Sequence, residues 1–144
     1  MKKIFFLGLA MLVTISAYAQ NTRSPLEGAW QMAYGTWLKP PVAFPDQVKG
    51  GQLKIWSERY YTCVGHFERD TVIWNNYVGG RYLLNGSRYE EELTYFPNKS
   101  MIGQKSRILI EIRNDTLIQK WPVDENWNLA KSFRIEKYIR LDNK

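Results

Sequence analysis

Residues 80–96 read GRYLLNGSRYEEELTYF. At their centre, Asn85-Gly86 tolerates the positive φ angles of a tight two-residue turn. On either side, large residues alternate with polar ones at the period of a strand. Tyr89, Glu91, Leu93 and Tyr95 share one face, opposite Arg88, Glu90 and Glu92. The stretch predicts a β-hairpin, and the rest of the chain follows the same pattern.

Downstream, SRILIEIRNDTLIQKW (106–121) is a second hairpin turning at Asn114-Asp115. Ile108, Ile110 and Ile112 lie on one face, and Arg107, Glu111 and Arg113 on the other. After a loop, WPVDENWN, comes a long final strand, KSFRIEKYIRL (131–141). There Phe133, Ile135 and Ile139 alternate with Arg134, Glu136, Tyr138 and Arg140, and alternation leaves open which face points inward. Upstream, Gly28–Gly35, GQLKIWSE (51–58) and YYTCVGHF (60–67) read as strands. DTVIWNNYVGG (70–80) holds a short strand or a helical turn. WLKPPVAFPDQVKGG (37–51) is a connection whose prolines exclude regular pairing. Amphipathic helical periodicity is almost absent. The sum is an all-β chain: a single antiparallel up-and-down barrel of about eight strands.

The chain begins MKKIFFLGLAMLVTISAYAQ. Lys2 and Lys3, the apolar run Ile4 to Val13 and the small residues of Ala17-Tyr18-Ala19 are the parts of a secretory signal, cut after Ala19. The run is too short to span a bilayer. Gln20 rather than cysteine follows the cut, so no lipid anchor is expected. Residues 1–19 are read as a cleaved signal and 20–144 as the barrel domain, delivered to a bacterial periplasm or beyond. That domain has 125 residues, enough for one core, and a net side-chain charge of +4. Its Lys and Arg residues are scattered singly, which argues against nucleic acid as a partner. An outer-membrane barrel needs a wholly apolar outer band. Charges interrupt both faces of several strands here, and the protein is not expected to span a membrane. Cys63 stands alone and forms no internal disulfide; it reads as a small buried hydrophobe, a reactive or pairing thiol being the alternative.

LEGAWQM (26–32) carries Gly-x-Trp at Gly28 and Trp30, and KYIRL (137–141) ends the last strand with Arg140. In these features the chain resembles the calycin group, which includes the lipocalins and fatty-acid-binding proteins. It is most similar to lipocalin-like secreted bacterial domains of unknown function. Gly80-Arg81-Tyr82, Tyr89-Glu90-Glu91 and Glu136-Lys137-Tyr138-Ile139-Arg140 carry that likeness. The resemblance implies that Trp30 plugs the closed end of the barrel and stacks against Arg140, while Gly28 lets the chain cross the bottom closely. The chain lacks the disulfide and the Thr-Asp-Tyr motif of vertebrate-type lipocalins.

A barrel of this size is filled by side chains or holds one small ligand. With their faces inward, Tyr82, Tyr89, Glu91, Glu136 and Tyr138 form a polar cluster in an aromatic cup. In that reading Tyr138, with Arg134 or Arg140, fixes a head group, and Trp56 and Trp121 cover the apolar part of a small apolar or amphipathic ligand. Alternatively the carboxylates and arginines satisfy one another in a structural network. His66 is the only histidine, and a haem ligand there is set aside in favour of a surface or hydrogen-bonded residue. No metal site, cofactor or catalytic residue is expected, since no zinc set, nucleophile elbow or phosphate loop occurs. DENWN (124–128) reads as a solvated turn, and the Asn-x-Ser/Thr sites at Asn85, Asn98 and Asn114 as turns and loops. Three functions follow. The lead is a non-catalytic small-molecule binder. The second is a protein-binding envelope module with a filled barrel, contacting its partner through the Pro-rich segment 39–50. The third is a small enzyme using Glu91 and Glu136. The Pro-rich segment is equally suited to cover the barrel mouth.

Overall fold

The computed structural model describes residues 23–38 and 41–142. The expected signal, with its cut after Ala19, lies outside the described residues, as do Lys39 and Pro40. The described residues form nine strands: β1 (Gly28–Leu38), β2 (Pro41–Phe44), β3 (Lys49–Trp56), β4 (Tyr60–Arg69), β5 (Val72–Asn85), β6 (Arg88–Tyr95), β7 (Lys105–Arg113), β8 (Thr116–Val123) and β9 (Leu129–Arg140). A 3-10 turn at Lys99–Met101 joins β6 to β7. Every neighbouring pair is antiparallel, and β9 returns to β1 through Trp30↔Arg140 to Gly35↔Glu136. β1 and β3–β9 therefore form a closed, eight-stranded up-and-down barrel, with β2 as one extra strand.

The turns form where positive φ is tolerated: Gly86 (φ 59) joins β5 to β6 and Asn114 (φ 52) joins β7 to β8. DTVIWNNYVGG resolves as strand, because Val72–Val78 continues into GRYLLN to make the 14-residue β5. The Pro-rich connection departs from expectation. Residues 41–44 pair with β1 in the register Gly35↔Phe44 to Leu38↔Pro41. Pro41 is the first residue of an outer strand, the position where a missing N–H costs the ladder least. Val42, Phe44 and Val48 are buried, so this segment turns these apolar side chains into the barrel.

The interior has three layers. At the closed end Leu26 and Trp30 are fully buried, and rings run from Trp30 to Trp56 (6.4 Å), Tyr89 (6.3 Å) and Tyr82 (5.5 Å). At the other end Trp37, Phe44, Phe67 and Trp74 pack at centroid separations of 5.4–6.2 Å, with Phe44 supplied by β2. Between them lies a polar layer. The face of β9 that points inward is the polar one, carrying Glu136, Tyr138 and Arg140, and Ile139 is left exposed. On β6, Tyr89, Glu91 and Leu93 point inward as alternation predicts, but Tyr95 is exposed where the strand leaves the barrel. Among the described residues no helix is long and apolar enough to cross a membrane.

Candidate functional site

The floor of the barrel is built by the Gly-x-Trp stretch. Gly28 has φ +118, and a Cβ there would collide with Asp142 Oδ2, which accepts the Ala29 N–H. Trp30 Nε1 donates to Leu26 O (2.8 Å). The Arg140 guanidinium lies 4.1 Å from the Trp30 ring centre and donates to the carbonyls of Glu27 and Pro25. Gly28, Trp30 and Arg140 are thus joined in one closure. Arg140 turns its two terminal nitrogens to the floor.

Above the floor, a lysine enters the barrel. Lys54 shares the inward face of β3 with Gln52 and Trp56, and all three are buried. Its ammonium bonds Glu91 Oε2 at 2.9 Å and lies 4.9, 5.1 and 5.4 Å from the ring centres of Trp56, Tyr61 and Tyr89. Burial pulls the Lys54 pKa down, but Glu91, Cys63 and Glu136 more than offset it, and the ammonium ends above its ordinary value. Tyr89 donates to Glu91 (3.0 Å) and accepts from Trp56 Nε1 (3.0 Å). Tyr82 donates to Ser57 O at the rim of the closed end (2.8 Å). Trp56, Tyr82, Tyr89 and Glu91 are therefore brought together, with their polar groups engaged by protein partners.

A second chain of bonds crosses from β9 to β5. Tyr138 donates to Glu136 Oε2 (2.9 Å) and accepts from Gln52 (2.5 Å), whose Oε1 accepts from Asn76 (2.7 Å). Burial raises the Glu136 carboxyl above its usual range and Glu91 adds to this, while Lys54, Tyr138 and Arg134 pull the other way. Burial also pushes the Cys63 thiol up to about 12, opposed by Lys54 and helped by Glu136 and Glu91. Such a thiol is neutral at ordinary pH and packs as a small side chain.

The remaining side of this layer has unpaired polar groups. Gln119 on β8 is fully buried, and neither its amide oxygen nor its amide nitrogen has a hydrogen-bond partner among the described residues. Trp121 Nε1 on the same face and Tyr61 Oη across the barrel are also without one. Gln119 is the cross-strand neighbour of Glu136, and Trp121 that of Arg134. The Arg134 guanidinium covers the Trp121 ring at 4.5 Å. Glu136, Trp121 and Arg134 are only partly buried.

Sequence reading did not single out Lys54, Gln52, Gln119 or Tyr61. The available signal was parity: Gln52 and Lys54 alternate with Leu53 and Ile55 and fall in step with Trp56. His66 lies on the outer face, between Asn75 Oδ1 and Glu68 Oε1 at 2.8 Å each. Among the described residues, no three His, Cys, Asp or Glu side chains gather as metal ligands. No family model matches the chain, and no curated protein is significantly similar to it.

Proposed function

We propose that this protein is an exported, non-catalytic, lipocalin-like barrel that binds one small polar molecule at the Gln119–Trp121–Arg134–Glu136 side of its interior. Gln119 carries the reading: a fully buried amide with both ends unpaired among the described residues. Such a group costs about 1–3 kcal/mol unless something hydrogen-bonds it. A ligand with both a donor and an acceptor answers that need, and Trp121 Nε1 supplies a second donor.

The charges inside the barrel narrow the chemistry. Lys54 is paired with Glu91 and Arg140 is turned to the floor, while Arg134 lies over the Trp121 ring with no ion pair to Glu136 among the described residues. Arg134 is therefore placed to meet an acidic group of the ligand while Gln119 and Trp121 Nε1 meet its other polar groups, so the ligand proposed here is more polar than the sequence suggested. A second reading, a protein-binding module, is favoured by a groove of about 460 Å3 on the outer face, lined by Tyr60, Tyr77, Tyr95, Phe96 and Pro97. Native mass spectrometry of protein expressed from the full sequence and recovered gently from an exporting host tests the first reading. A stoichiometric adduct of small-molecule mass, lost in Gln119→Met, is the expected result. A bare monomer mass in the wild type would overturn it, and a co-purifying stoichiometric protein would favour the second.

A further inference from the structure

β5 is longer than the strand that covers it. β4 pairs with one edge from Val72 to Arg81, but β6 pairs with the other edge only from Gly79 to Asn85. Beyond Tyr95, β6 turns away through Phe96 and Pro97. Along Val72–Val78 the second edge of β5 has no partner strand among the described residues. Alternate N–H and C=O groups on this edge have no backbone partner among the described residues, the arrangement that templates a further strand.

The chain treats its free edges differently. β1 pairs with β9 only as far as Glu136, leaving Leu129–Arg134 without a partner strand on that side among the described residues, and this edge carries Lys131 and Arg134. Charges of that kind discourage strand addition. The β5 segment reads VIWNNYV and holds no charge, in a chain whose net charge is +6. Its outward side chains include Ile73, 62% exposed, and Tyr77, 52% exposed.

We infer that this edge docks a second copy of the chain, β5 pairing antiparallel with β5 of the partner across a two-fold axis at Asn75. Antiparallel partners share a face, so odd residues must oppose odd residues, and the axis at Asn75 is the register that uses all seven. It opposes Ile73 with the partner copy's Tyr77 on the outer face and Val72 with the partner copy's Val78. The segment is therefore complementary to itself, as a two-fold interface requires. The contact closes at two copies and leaves the barrel interior untouched, so it stands or falls independently of what the barrel binds.

Sedimentation velocity of the full chain, from micromolar to submillimolar concentration, is expected to show a monomer–dimer equilibrium. Tyr77→Lys places a charge on the exposed outer face twice per dimer and should weaken association roughly tenfold or more. Asn75→Cys should cross-link under mild oxidation, because residues on the axis have Cα atoms about 4.5–5.5 Å apart. Val64→Cys, one strand inward, should not, the two copies of β4 being roughly 14 Å apart. A wild type monomeric at every concentration, growth beyond a dimer, association indifferent to Tyr77→Lys, or equal cross-linking at 64 and 75 would each overturn the inference.

Discussion

Lys54 and Glu91 meet at 2.9 Å in the middle of the barrel, their side chains only 6% and 14% exposed, with three aromatic rings around the ammonium. Each ion makes the other tolerable there. Removing one leaves an uncompensated buried charge, which costs about 3–5 kcal/mol. Lys54→Met and Glu91→Leu are each expected to lower urea-measured stability by that order. The double substitution should recover most of the loss, and a double mutant no more stable than the sum of the singles would contradict the pairing.

The same pair sets an alkaline limit. Lys54 has a folded pKa above its ordinary 10.5, so the stability it contributes is complete below 10.5 and is lost as pH rises through the folded value. Tyr138 and Tyr89, held well above 10 chiefly by burial and then by Glu136 and Glu91 respectively, act in the same direction. Thermal midpoints should hold up to about pH 10 and then fall steeply. Lys54→Met/Glu91→Leu should show a shallower fall, measured by circular dichroism at each pH.

Glu136 carries the same sign at the acid end. Its carboxyl is raised above the usual 4.5, so it favours the folded state below that pH and the benefit disappears as pH rises through the folded value. Glu136→Gln is expected to raise the melting temperature at neutral pH and to give no gain below pH 4.5. A gain that grew toward acid would reverse the assignment.

Gln119→Met replaces an unpaired buried amide with an apolar side chain of similar volume. Without ligand the variant should be more stable than wild type by about 1–3 kcal/mol, read from urea midpoints. A loss of stability would mean that the amide is already satisfied in the ligand-free protein.

Arg140→Ala removes the guanidinium from the Trp30 face and from the carbonyls of Pro25 and Glu27. Together these contacts are expected to contribute about 2–3 kcal/mol. Arg140→Lys should restore little, because an ammonium cannot both stack and bridge two carbonyls. Urea midpoints followed by circular dichroism check both substitutions, and an Arg140→Lys midpoint equal to wild type would contradict the bridging role.

The hairpins were legible because their information is local. Asn85-Gly86 and Asn114-Asp115 permit the required φ angles, and the flanking residues alternate within a few positions of the turn. The floor was legible from Gly28, Trp30 and Arg140 because a resemblance linked two ends of the chain. β2 was not, since prolines lower strand expectation locally while Phe44 and Val42 gain their burial from Phe67 and the other residues of the distant core.

By itself, then, the sequence determined an all-β chain, its turns and the two faces of each strand, because these depend on side-chain parity and backbone preference over short range. Which face turns inward on β9, and that Lys54 lies inside, was decided only by closure. Pairing β9 with β1 puts Arg140 over Trp30, and the same parity sends Tyr138 to Gln52 and Glu136 into the barrel. A lysine between Leu53 and Ile55 reads as surface until Glu91, 37 residues away, arrives beside it. Burial of a charge is a property of the partner that meets it, and that partner is set by the whole fold.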